Sequence, residues 1–187
     1  RIVPYLGEVY LGHVRYGTFG KNSIENVHPF LRENNWNYRN LILAGNFNLT
    51  NVNELFNKLV ELGQHPIAKT DTITVMERIG HFLDTEVEEC YQKLKAEGIS
   101  KKEASVLIAQ ELDMIRELQR AATRWDGGYA MAGIVGHGDA FVIRDPAGIR
   151  PAYYYKDEEI VVVASERAVI QTAFNVPFER VEELSPG

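Results

Sequence analysis

The sequence predicts an α+β fold. Helix-type periodicity is concentrated between about residues 51 and 125, whereas short apolar runs joined by tight turns fill residues 127–164. A helix-rich middle followed by hairpins is the order of an α+β chain, not of an alternating parallel sheet.

The elements follow in order. Leu11-Gly12-His13-Val14-Arg15-Tyr16-Gly17-Thr18-Phe19-Gly20 reads as a strand running into a glycine-rich turn that presents a cation, Arg15, and a hydroxyl, Thr18. Residues 21–40 are polar and irregular around His28-Pro29-Phe30. Leu41-Ile42-Leu43-Ala44 is a run of buried-strand type, and Gly45–Asn51 reads as the turn that stops it. Asn51 with Glu54 resembles a helix start; Leu55, Leu59 and Leu62 give its apolar face and Gly63 its stop. Thr70-Asp71-Thr72 opens a second helix lined by Ile73, Met76, Ile79 and Phe82 or Leu83, and residues 86–97 form a third, closed by Gly98. Ser100 and Glu103 make a capping box. Behind it Ile108, Leu112, Ile115, Leu118, Ala122 and Trp125 predict one long helix. Strands are expected at 127–136, 140–143, 152–155 and 160–164, then a short helix capped by Ser165 and running to Phe174, then extended chain.

The 187 residues suit one domain. A net charge of −6 disfavours nucleic acid and anionic membranes as partners, because phosphate recognition needs clustered Lys and Arg. No apolar run approaches the ~20 residues of a membrane span, and no signal peptide is expected. The single cysteine, Cys90, excludes an internal disulfide and fits the reducing cytoplasm. The histidines 13, 28, 65, 81 and 137 show no ligand spacing, so no metal site is expected.

Four segments carry chemistry: 13–20, 45–51, Thr70-Asp71-Thr72, and Arg144-Asp145-Pro146-Ala147-Gly148-Ile149-Arg150-Pro151. In this order they resemble the N-terminal-nucleophile glutaminase domain of type 2 glutamine amidotransferases, with the nearest likeness in the amidophosphoribosyltransferases. The resemblance implies an αββα sandwich of Ntn-hydrolase type with antiparallel sheets, and a glutaminase domain over 1–187 with a helical insertion at about 76–125.

By the same resemblance Arg15 grips the glutamine α-carboxylate, where its planar donor fork suits a bidentate pair. Thr18 adds a hydroxyl there, and Asp71 binds the α-amino group. Alone, Asp71 reads as a helix-start carboxylate, and the two roles are compatible. Asn46 matches the oxyanion-hole asparagine, and the backbone N–H of Phe47 the second donor. The family usually has glycine after that asparagine. Phe47 keeps the N–H but would be strained if the position needed a positive φ.

The family's nucleophile is an N-terminal cysteine whose own amine acts as base. The chain opens with Arg1, and Cys90 falls on an apolar helix face, so no nucleophile is expected within the chain; the domain reads as N-terminally incomplete, its first strands missing. Arg144, Asp145 and Arg150 are expected to be structural ion pairs. The implied activity is hydrolysis of glutamine to glutamate and ammonia, with phosphoribosyl pyrophosphate as acceptor in purine biosynthesis. The implied partners are a Cys-bearing N-terminal segment, a C-terminal phosphoribosyltransferase domain and a second copy in a homo-oligomer. No cofactor is expected in this domain; Mg²⁺ belongs to the phosphoribosyltransferase domain. The alternative is a non-catalytic glutamine-binding or scaffold domain.

Overall fold

The computed structural model describes residues 6–14 and 27–187. Among these the first sheet has four antiparallel strands in spatial order β1-β2-β3-β4: Phe30–Arg32 (β1), Leu41–Leu49 (β2), Gly127–Val135 (β3) and Ala140–Arg144 (β4). Between β2 and β3 the chain runs through Val52–Glu61 (α1), Asp71–Ala96 (α2), Lys101–Glu111 (α3) and Met114–Ala122 (α4). After β4 come Tyr153–Lys156 (β5), Val161–Ala164 (β6), Arg167–Phe174 (α5) and Glu182–Glu183 (β7). These strands form a second antiparallel sheet in the order β6-β5-β7. The α+β class and the antiparallel sheets stand as read from the sequence.

The core follows from strand alternation. Leu41, Leu43 and Leu49 of β2 and Tyr129, Met131 and Val135 of β3 share one face and bury it against Ile73, Met76, Ile79, Leu83 and Val87 of α2. In the second sheet Tyr155 packs with Ile170 of α5 and with Val181.

Local readings fail at four places. The segment 45–51 is not a turn throughout: β2 continues to Leu49, paired with β3 from Leu41↔Val135 to Leu49↔Gly127. A Cβ on Gly45 would stand 2.6 Å from the Ala130 carbonyl oxygen and 2.6 Å from Met131 Cβ, so the glycine that reads as a turn is there for close strand approach. The second and third helices are one, α2. Its buried positions 73, 76, 79, 83, 87, 90 and 94 keep one stripe, and no Gly or Pro lies between residues 81 and 96 to end it.

The long helix expected behind the capping box is two. The box is present at Ser100 and Glu103, but Leu112 leaves helical geometry at ψ 117° and Asp113 caps α4 by accepting from the Arg116 N–H at 3.0 Å. The break rotates the stripe: α4 buries Glu117 and Ala121 and leaves Ile115 72% exposed. Ser165 does not cap the last helix; α5 follows Glu166, makes no side-chain cap there, and ends at Asn175 in left-handed geometry. Asn51 does precede α1, yet its amide donates to the Arg124 carbonyl (2.8 Å) and its oxygen accepts from the Asp126 N–H (3.3 Å). It ties α1 to the start of β3.

The segment 144–151 is held differently from the expected ion pairs. Asp145 is fully buried, and its carboxylate accepts from three backbone N–H groups: Tyr129 (3.3 Å), Ile149 (2.8 Å) and Arg150 (2.9 Å). Arg144 does form an ion pair, with Glu183 at 2.8 Å. Its guanidinium also donates to the carbonyls of Arg150 (2.6 Å), Gly148 (3.0 Å) and Leu184. One strand end of the first sheet is thus fastened to β7 of the second.

Candidate functional site

The site is built on β2 beyond its pairing with β1, which ends at Phe30↔Leu43 and, among the described residues, leaves 45–49 as a strand edge on that side. In an antiparallel pair, alternate residues turn their N–H groups toward and away from the partner. The Gly45 N–H donates to His28 Nδ1 at 3.1 Å, and the Leu49 N–H donates to Asp71 Oδ2 at 3.3 Å. Both point away from β3. Phe47 lies midway and in phase with them. Opposite it, Tyr129 spends its backbone groups on Asp145: its N–H reaches the carboxylate, and its carbonyl accepts the Asp145 N–H at 2.8 Å. The Phe47 N–H is therefore an edge donor, flanked by one amide held by His28 and one held by Asp71.

Asp71 is the first residue of α2. The capping role belongs to its neighbour: Thr70 Oγ1 accepts from the Ile73 N–H at 3.3 Å. Asp71 is left to join the helix start to β2 through Oδ2, and Oδ1 has no part in that bond. A helix N-terminus also favours its charge.

The structure thus brings Phe47 and Asp71 to one strand edge, about 7 Å apart along β2 at the usual rise of ~3.4 Å per residue. The Asn46 side chain leaves the sheet on the other face from the Phe47 ring, so it stands next to the Phe47 N–H, which lies in the plane of the sheet, and not beside Asp71. Asn46 alternates with Phe47, is exposed, and projects from the side of the sheet opposite α2. Arg15 and Thr18 lie outside the described residues. The strain considered for Phe47 does not arise: among the described residues, positive φ at a non-glycine occurs only at Arg124 and Asn175, and Phe47 sits in regular strand.

Sequence reasoning missed His28. It is 9% exposed, and its Nε2 lies 3.1 Å from Thr72 Oγ1, so one ring spans from β2 to α2. The rings of His13 (4.6 Å between centroids), Phe30 (5.0 Å) and Phe47 (5.6 Å) surround it. Spacing gave no signal, because His28 meets its partners through residues 17 and 44 positions away.

Behind the edge, burial by itself would push the Asp145 carboxyl up, but the backbone N–H donors of Arg150, Ile149 and Tyr129 outweigh it and hold it below the usual aspartate range. A fixed negative charge thereby braces β3 directly opposite Phe47. Cys90 does not belong to the site. It is 4% exposed on α2, and burial raises its thiol pKa. It also stands about 28 Å along the helix from Asp71 at 1.5 Å per residue. Among the described residues no group of three or more His, Cys, Asp or Glu is placed to hold a metal ion, and no helix is long and apolar enough to cross a membrane.

Comparison with known proteins identifies the chain's relatives. Residues 3–111 match the model of the class-II glutamine amidotransferases, and residues 86–172 match a second glutamine amidotransferase domain model. The chain is 29% identical over 181 residues to the amidophosphoribosyltransferase of Methanothermobacter thermautotrophicus, covering 97% of this chain and 32% of the relative. It is 32% identical over 188 residues to that of Escherichia coli K12, covering 97% and 32%. It spans about a third of the length of these curated relatives. Among solved structures, the glutamine phosphoribosylpyrophosphate amidotransferase of B. subtilis, complexed with ADP and GMP, superposes with a TM-score of 0.60 at 26% identity, over 94% of this chain and 30% of that one. A match to more than half of the chain, together with a superposable solved structure, places it in a family: the chain belongs to the class-II glutamine amidotransferases.

Proposed function

We propose that this chain is the glutaminase domain of an amidophosphoribosyltransferase-type enzyme, with 76–125 as its helical insertion. The whole protein would release ammonia from glutamine and deliver it to phosphoribosyl pyrophosphate for purine biosynthesis in the cytoplasm. Arg15 and Thr18 would hold the substrate α-carboxylate and Asp71 its α-amino group. A cysteine thiolate from the N-terminal segment would add to the carboxamide carbon, and the oxygen that turns negative would be met by the Phe47 N–H and the Asn46 amide. Protonation and loss of ammonia leave a thioester, and water then releases glutamate and the thiol. Mg²⁺ would act only in the phosphoribosyltransferase domain, and the enzyme would work as a homo-oligomer.

One observation carries this reading: Phe47 and Asp71, matched to an oxyanion donor and an ammonium acceptor, sit on one strand edge in a chain of this family. The test is glutamate release from glutamine by the whole natural protein, with and without phosphoribosyl pyrophosphate. Release that rises with the acceptor supports the proposal. Glutamine binding without release overturns it in favour of a binding domain.

A further inference from the structure

We propose that His28 is a positioning residue of the glutamine site, locking the donor edge of β2 to the start of α2. This rests on the glutaminase reading above. The Gly45 N–H donates to Nδ1, so Nδ1 carries a lone pair and not a proton. The neutral ring then has its proton on Nε2, which donates to Thr72 Oγ1. One buried side chain therefore fixes two elements at once. Gly45 lies two residues before Phe47, and Thr72 lies one residue after Asp71. The backbone donor on β2 and the carboxylate on α2 are held in register by three hydrogen bonds: the Asp71–Leu49 contact on one side and the two of the His28 bridge on the other. The Phe47 N–H lies between them. Phe47 also packs its ring against that of His28, so the same imidazole limits where the Phe47 peptide can sit.

An uncharged amide matches this role. The oxygen and nitrogen of glutamine are about as far apart as the two ring nitrogens, and offer one acceptor and one donor. Leucine fills similar space and offers neither.

The experiment compares glutamate release by the whole protein carrying His28→Leu, His28→Gln or Thr72→Val, with thermal unfolding of each. His28→Leu is expected to lower kcat/KM by roughly tenfold or more, because small misplacements of catalytic groups are costly. The loss should appear in both kcat and KM, since the Phe47 edge and Asp71 shift together. A merely smaller folded fraction would lower apparent kcat and leave KM alone. His28→Gln should recover most of the loss. Thr72→Val removes only the acceptor of Nε2 and should move kcat/KM in the same direction as His28→Leu. It decides the matter if His28→Leu does not fold. Folded His28→Leu or Thr72→Val with wild-type kinetics overturns the proposal, as does His28→Gln no better than leucine. A wild-type protein that releases no glutamate overturns the glutaminase reading itself.

Discussion

In the proposed glutaminase, Asn46 and Asp71 would bear on glutamine chemistry in different ways, and their substitutions should separate. Asn46 would act on charge that exists only in the transition state. Asn46→Ala is expected to lower kcat of glutamate release by roughly 100- to 1,000-fold with KM little changed. Asp71 would bind a charge already present on the substrate. Asp71→Asn should raise KM first, because the ammonium loses a charged acceptor. Steady-state kinetics of the two variants checks both. The residue types at these positions are visible in the sequence; the direction of each group is not. The edge orientation of the Phe47 N–H depends on Tyr129, 82 positions away, turning its own groups to Asp145.

Elements hold these residues through close contacts. Gly45→Ala puts a Cβ into the Ala130 carbonyl and Met131, and should cost about 1–3 kcal/mol of stability while pushing β2 off β3. Chemical denaturation measures it. The α2–α4 contact carries a second device. Glu117, 1% exposed on α4, and Glu86, buried on α2, meet around Arg120, whose guanidinium lies 3.0 Å from Glu117 and 3.7 Å from Glu86; Arg116 lies 3.7 Å from Glu86. Burial pushes the Glu117 carboxyl up, Arg120 pulls it back, and the hydrogen bond with Glu86 adds to the rise. The folded protein therefore favours the protonated acid more than the unfolded chain does. Its contribution is complete in acid, and is lost as pH climbs from the ordinary glutamate value, about 4.3, through the raised one. Glu117→Gln keeps an acceptor for Arg120 and carries no proton to lose. Its melting temperature should gain on wild type as pH rises, and the gain should vanish in acid.

At the scale of the molecule, Arg144 joins the two sheets through Glu183 and Leu184, and Asp145 holds the loop after β4 to β3. Asp145 has the opposite linkage. Its folded pKa is depressed, so its contribution is present above the ordinary aspartate value and lost as pH falls through and below it. Asp145→Asn replaces two accepting oxygens with one and is expected to destabilise by about 1–3 kcal/mol at neutral pH. Its melting temperature should also respond less to acid than that of wild type. Differential scanning calorimetry across the acid range reads both effects.

Periodicity and turn chemistry in the sequence determined the fold class, the hairpins after residue 127, the capping box at Ser100 and the stop at Gly63, because each depends on neighbours a few positions away. The ordered motifs at 13–20, 45–51, 70–72 and 144–151 determined the family. Only the tertiary structure decided that β2 runs on through Gly45-Asn46-Phe47-Asn48, since its strand partner supplies the pairing that local propensity withholds. Only it joined two helices into α2 and divided another at Leu112, where the buried face and the Asp113 cap outweigh a continuous apolar spacing. The site itself also belongs to tertiary structure: the His28 bridge and the Asp71–Leu49 bond close contacts across 17 to 44 residues, a distance that no local pattern encodes.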